Sequence, residues 1–542
     1  MCHQGPRQTI TVTQLRLFAA LVAIALGACT SPLPAPPAPA STPPANIFLG
    51  VLTWHNDRAR TGQNRAETLL TPTLVNAKRF GKLFSYRVDG QIYAQPLYVP
   101  RVRGRGTHDV VIVATEHDSV YAFDGSLARR QLWHDSFIDP GRGITTVPCT
   151  SPRQPECDPT IMAPEHGITG TPVVDAATGR LYVDVQTDES GTFIHRLHVL
   201  DVASGAEVPG SPVTVRATAP GFLGVDFHPH TAFQRSGLAL DRGIVYVPYA
   251  SNDDARGWMI GFDAATLDIV RVFCVTPKGT LGGIWEGGAA PAVDDGGDLY
   301  VSTGNGAFNA AVGGPNHGMS VLRLAATSQL NVVDYFAPYN ERPMSRRDGD
   351  LGSGGVMLLP DHPGPHPHEA VTGGKEGRLF VLDRDAMGSF HRDGNHVVQQ
   401  LDANLHNGYY SSPAYFGGAV YYAANGAHLD RYAVHGARLS GTPVSQSAET
   451  FNYPGATPSV SSNGEQNGIV WVVGVSGRVR GGPPAVLRAY DAHDVTHELY
   501  ASDEAGARDR AGPANKFAVP TIANGHVYVG TQTELDVYGL RP

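Results

Sequence analysis

One recurring paragraph of sequence limits what this chain can fold into. Between residues 170 and 215 it opens with Thr171-Pro172-Val173-Val174-Asp175 and turns at Gly179. It alternates through Arg180-Leu181-Tyr182-Val183-Asp184-Val185 and resumes at His195-Arg196-Leu197-His198-Val199-Leu200-Asp201. A second turn at Gly205 leads to Val213-Thr214-Val215. Short runs of period two, divided by Gly, Asp and Ser, read as four antiparallel strands. Openings of the same kind recur at Gln95, Ser236, Ala290, Gly354, Ser412, Thr457 and Val519. Their spacing of roughly 45 to 75 residues suits one four-stranded blade plus loops.

The eighth unit runs out of chain after three strands, and residues 82–88 supply one strand too many before the first. Pairing the two ends closes a ring and leaves no sheet edge open to strand addition. The expected fold is all-β: an eight-bladed β-propeller of four-stranded antiparallel blades, closed by an N-terminal strand that completes the last blade. A seven-bladed ring is the alternative. The 63 Gly and 41 Pro meet the demand of such a fold for turns. A formal charge of -9 without a Lys/Arg run argues against a nucleic-acid partner.

The chain begins differently. Arg7 and Arg16 precede an apolar run over 17–28, too short to span a bilayer and of the length of a secretory signal core. It ends in Leu26-Gly27-Ala28-Cys29, which resembles the lipobox of bacterial lipoproteins. That resemblance implies a signal peptide over 1–28 and lipidation of Cys29. Thr30 in place of Asp implies the outer membrane. Residues 29–50, rich in Pro and Ala, read as a stiff tether, and 51–542 as the propeller. Of the remaining cysteines, Cys149 and Cys157 share one Pro-rich loop. They are candidates for a local disulfide in an oxidising compartment, with two free thiols as the alternative. Cys274, between Phe273 and Val275, reads as a small buried hydrophobe.

A strand followed by Asp and a Gly turn recurs at Ala122-Phe123-Asp124-Gly125, at Val199-Leu200-Asp201 through Gly205, at Gly261-Phe262-Asp263 and at Ala489-Tyr490-Asp491. This resembles the repeats of pyrroloquinoline-quinone (PQQ) dehydrogenases and their non-enzymatic relatives, over roughly residues 54–540. Of the tryptophans that close the blades in that family, Trp133 is the clear counterpart here. The sequence has neither the adjacent cysteine pair of the alcohol dehydrogenases nor a C-x-x-C-H haem motif.

Residues just before each innermost strand ring the mouth of a propeller's central funnel. Here they are Gln91, Gln95, Glu165, His166, Arg235, Trp285, Glu286, Asp350, His406, Asn407, Tyr409, Asn452, Tyr453 and Lys516. Converging polar and aromatic groups make a default ligand site. The resemblance implies what a quinone would need there. Glu165, Glu286 and Asp350 are the candidate calcium ligands. Arg235 and Lys516 are the candidate partners of the quinone's carboxylates, Trp285 is its floor, and Asp350 is alternatively the catalytic base. The competing reading of each is structural, as a loop or inter-blade tie. His228, His230, His362, His366 and His368 read as solvated loop residues rather than metal ligands. The sequence favours a lipid-anchored propeller in the bacterial envelope that binds a ligand or an envelope protein. The alternative is a PQQ- and calcium-dependent oxidoreductase of an alcohol or sugar.

Overall fold

Eight antiparallel sheets follow one another along the chain, as expected. A computed structural model describes residues 48–542 except 105, 127–128, 150–163, 252–254, 406 and 476–480. Cys29, Cys157 and His406, and the whole signal and tether reading up to residue 47, lie outside the described residues.

Blade 1 consists of Leu97–Gly104, Gly106–Thr115, Ser119–Asp124 and Gln131–Ser136. Blade 2 runs from Val173–Asp175 through Arg180–Glu189 and Thr192–Asp201 to Val213–Thr214. Blades 3 to 7 have their innermost strands at Ala239–Asp241, Ala292–Val293, Met357–Leu358, Ala414–Phe416 and Ser459–Asn463. Blade 8 takes Thr521–Ala523, His526–Gly530 and Glu534–Leu540 from the end of the chain. Its outermost strand is Phe80–Arg87, antiparallel to Glu534–Leu540 with Phe80 opposite Leu540 and Arg87 opposite Glu534.

The strand patterns follow from stacking. Inner strands are covered on both faces, so Ser119–Asp124 is buried at every position and reads as an unbroken run. Outermost strands are less covered: in Gln131–Ser136, Trp133 turns inward between exposed or half-exposed neighbours. Every pair of neighbouring blades shares an apolar cluster. Leu181, Val183 and Leu200 of blade 2 join Val111 and Ile112 of blade 1 and Leu535 and Val537 of blade 8. Trp471 of blade 7 meets Phe80 and Tyr538 of blade 8. Hydrophobic burial is therefore continuous around the ring.

Residues 51–67 plug the axis, and the stretch after Trp54 through Asn64 has the polar sequence of a loop. The backbone carbonyls of Val51, Leu52, Arg58, Ala59, Thr61 and Gly62 accept hydrogen bonds of 2.7–2.9 Å from the N–H groups of Tyr98, Val174, Val293, Leu358, Tyr415 and Val460. Those donors belong to the innermost strands of blades 1, 2, 4, 5, 6 and 7. The Arg58 guanidinium donates to Asp241 of blade 3 at 2.7 Å. The Asn64 amide donates to the Ile522 carbonyl of blade 8 at 3.0 Å. The segment turns this tightly through left-handed backbone at His55, Asn56, Arg60 and Gly62. A side chain on Gly62 would strike the His55 ring at 2.2 Å. Arg60, 1% exposed, donates to the Pro291 carbonyl through Nε and Nη2, and through Nη1 to Thr53 Oγ1 and the Trp54 and Asp57 carbonyls.

Candidate functional site

The plug meets the far ends and turns of the innermost strands: the Gly464 N–H donates to the Arg65 carbonyl and the Gly525 N–H to Glu67. The mouth residues precede those strands and so lie at the opposite end. The axis is thus plugged at one end, and the mouth residues gather at the other, here called the cup.

Arg235, buried, lies among these mouth residues. Its guanidinium donates to the carbonyls of Thr169 and Gly287, each at 3.0 Å. It lies 5.9 Å from the Tyr93 ring and 4.9 Å from that of Phe517. Blades 1, 2, 4 and 8 therefore converge on one cation. Burial lowers its pKa to about 10, against the raising influence of Tyr93 and Tyr453. A side chain at Gly288 would meet the guanidinium at 2.2 Å, so this approach requires glycine. Lys516, half-buried, places its ammonium 5.5 Å from the same Phe517 ring. Trp285 lies 5.3 Å from Phe233 and packs on the cluster of Tyr93, Cys149, Phe233 and Ala250. Tyr410 and Tyr453 meet edge-on at 5.0 Å. Arg235, Lys516 and Trp285 are thus brought to one aromatic cup, whose half-buried rings are those of Trp285, Tyr410, Tyr453 and Phe517.

The three carboxylates are not brought to one point. Among the described residues, the one set of three His, Cys, Asp or Glu side chains whose ligand atoms all lie within 4.8 Å of one another is elsewhere. Glu165 accepts from Thr146 at 2.7 Å and pairs with His117 at 2.7 Å. Glu286, 1% exposed, accepts from the Ser302 N–H at 3.0 Å and the Ser236 hydroxyl at 3.2 Å. Burial pushes its pKa up to about 8, against those two hydrogen bonds and the Arg60 charge. The backbone explains its direction: Glu286, Gly287 and Gly288 are all left-handed, with φ of 50°, 62° and 96°. That run turns the carboxyl between blades 3 and 4. Asp350 pairs with Lys375 at 2.6 Å and accepts from the Asn305 N–H at 2.5 Å. Burial raises its pKa while Lys375 and the Asn305 amide oppose that rise. Asp350 and Trp285 both flank Gly304, whose added side chain would lie 2.7 Å from the one and 3.4 Å from the other.

Other mouth residues make contacts within the protein or face solvent. The Gln95 side chain accepts from the His55 N–H in the plug and donates to Thr521 of blade 8. Gln91 donates to Glu116. The fully buried His166 ring rests on Phe233 at 4.1 Å, and burial lowers its pKa to about 3. Adjacent Glu165 and His166 therefore face different surroundings. Tyr409 is fully buried, and its hydroxyl accepts from Asn404. Asn407 and Asn452 are exposed. Of the loop histidines, His362, His366 and His368 each pair with a different carboxylate, of Glu369, Asp383 and Asp385. Cys274 is a buried free thiol, as expected. Cys149 is disulfide-bonded, and its partner lies outside the described residues. Sequence reasoning missed Tyr93, Phe233, Tyr410, Phe517 and the Asp350–Lys375 pair. Phe517 and Tyr410, each next to a residue already in the ring, were within reach of the same reading.

No family model matches this chain, and no curated protein sequence does. Solved structures match by fold. Quinohemoprotein alcohol dehydrogenase of Comamonas testosteroni superposes with a TM-score of 0.59 at 15% identity, over 91% of this chain and 80% of that one. Quinohemoprotein alcohol dehydrogenase ADHIIG of Pseudomonas putida HK5 gives 0.56 at 14% identity, with the same coverage. BamB of Moraxella catarrhalis gives 0.49 at 12% identity, over 85% of this chain and 99% of that one. The chain has the PQQ-like β-propeller fold, and at these identities the likeness concerns the fold alone.

Proposed function

We propose that this chain is a quinoprotein-like propeller that binds rather than turns over: a cup for a ligand or a segment of an envelope protein. The observation that carries this reading is that the titratable groups at the cup are already matched within the protein. Asp350 is held by Lys375 and a backbone N–H. Glu286 and Glu165 are held by hydroxyls, an amide and a histidine. Arg235 spends two donors on carbonyls. What the cup offers a visitor is aromatic surface beside cationic side chains, which suits planar or anionic groups.

The alternative, a PQQ- and calcium-dependent oxidoreductase, is favoured by the shared fold and by a half-cystine, Cys149, packed in the cluster beside Trp285. The residues present do not fit its calcium: the three carboxylates read as its ligands do not converge, and each is held by other partners within the protein. Purified protein incubated with PQQ and calcium chloride is expected to show no bound-quinone absorbance and no alcohol- or sugar-dependent dye reduction. Dye reduction that disappears in Asp350→Ala would instead establish the enzyme and its base.

The envelope location belongs to the same proposal. It rests on Cys29, the lipobox resemblance and the disulfide bond of Cys149, which needs an oxidising compartment. No helix among the described residues is long and apolar enough to cross a membrane, so Cys29 is the proposed anchor, in the outer membrane. Intact mass of the membrane-extracted protein should show a diacyl addition that Cys29→Ser abolishes. An unmodified mass with residues 1–28 still attached would reject it.

A further inference from the structure

The structure points to a transition-metal site on the outside of blade 5, remote from the cup, and we propose that His391, Asp393 and His396 bind one zinc ion or a similar borderline cation. The three side chains are exposed, and one ligand atom of each lies within 4.8 Å of the others. Among the described residues no other three such groups meet this closely. The imidazoles of His391 and His396 stand face to face at 3.8 Å with 7° between their planes, and Asp393 lies 3.4 Å from His396 Nε2. Two imidazoles and one carboxylate are the donor set of zinc and its neighbours in the first row, not of calcium. Zinc needs its nitrogen ligands about 2.0–2.1 Å away and in the plane of each ring, so the two exposed, stacked imidazoles must unstack and turn toward a shared ion when it binds. The remaining coordination positions face solvent.

The loop is built to hold this arrangement. The strands Leu379–Asp383 and Gln399–Leu401 pair and fix its two ends. The Ser389 N–H donates to the Tyr335 carbonyl, and the Ser389 carbonyl accepts from Ala337, tying the loop to blade 4. Phe390 packs on Phe308 at 5.4 Å. Asn395 donates to Gln400 and accepts from the Tyr339 N–H. Gly388 has φ of +97°, and a side chain there would lie 2.0 Å from the His396 carbonyl. The backbone on both sides of the three ligands is therefore fixed before any cation arrives, which lowers the ordering cost of binding.

Titration of chelator-treated full-length protein with zinc sulfate, followed by calorimetry and by metal content after desalting, tests the site. One equivalent more should bind to the wild type than to the double variant His391→Ala/His396→Ala. Asp393→Asn should weaken that equivalent by about tenfold or more, since even the loss of a partner outside the coordination sphere costs roughly 10–100-fold. Cobalt should give a visible absorption band in the wild type that the double variant lacks. The replaced side chains are exposed, so an unchanged melting temperature of the metal-free variant confirms an intact fold. Equal zinc stoichiometry in wild type and double variant, or a cobalt band that survives the substitutions, overturns the proposal.

Discussion

Glu286 makes the sharpest test of how the cup is built, because one substitution separates a buried acid from a metal ligand. Its carboxyl is 1% exposed and its pKa rises from 4.5 to about 8 in the folded chain. A raised acid binds more protons in the folded than in the unfolded state. Its contribution to stability is full below pH 4.5 and is lost as pH rises through 8. At about 1.4 kcal/mol per pKa unit, the loss between pH 5 and pH 8 is about 3 kcal/mol. For a ring of roughly 500 residues the unfolding entropy is about 1 kcal/mol per degree, so this corresponds to about 3 °C. Glu286→Gln keeps the acceptor for the Ser302 N–H and has no proton to lose. The melting temperature of the variant minus that of the wild type, scanned at one rate at pH 5, 6.5 and 8, should therefore rise by about 3 °C across the range. A difference that stays constant with pH would mean that Glu286 is ionised in the fold, and would reinstate it as a cation ligand.

Three further substitutions probe the same architecture. Arg60→Met strands the Pro291, Trp54 and Asp57 carbonyls and should cost about 3–5 kcal/mol; an unchanged melting temperature would show that the plug does not staple the ring. Gly288→Ala forces both a left-handed alanine and a displaced Arg235 guanidinium, and should destabilise by about 1–3 kcal/mol, which urea titration measures; wild-type stability would refute the glycine requirement. Trp54, Trp133, Trp258 and Trp471 are buried and Trp285 is half-buried, so acrylamide should quench mainly Trp285. Trp285→Phe should remove that quenchable emission, and quenching that persists would place Trp285 away from the cup.

The blades were legible because each strand carries its own signal. Period two and a Gly or Asp turn are local properties, and residues 82–88 stood out as a strand with no local partner. The strand over Phe80–Arg87 differs from that reading only at its ends. The plug was not legible, for a physical reason. Residues 51–67 bond one at a time to different blades, through carbonyls that every residue type possesses. No apolar stripe is needed, so none is written. The cup was half legible. Chain position places Arg235, Trp285 and Lys516 at the mouth, because any residue before an innermost strand lies there. It does not say where a side chain points. The left-handed run at Glu286, Gly287 and Gly288 turns one carboxylate away from the axis, and Lys375, from a different blade strand connection, claims another.

These two findings bear on each other. A propeller axis is lined by the unpaired edges of its innermost strands, and water or a ligand must otherwise satisfy them. Here residues 51–67 supply the missing acceptors over most of the ring, and Arg60 satisfies the Pro291 carbonyl twice. The same guanidinium lowers the pKa that burial raises at Glu286, so plug and cup are electrostatically linked across the floor. If Arg60→Met removes that cation, Glu286 should hold its proton to still higher pH. The pH-dependent loss of stability should then extend further into the alkaline range in Arg60→Met than in the wild type, and should vanish in the double variant Arg60→Met/Glu286→Gln. Identical pH profiles for Arg60→Met and wild type would separate the two groups and leave the plug a mechanical closure alone.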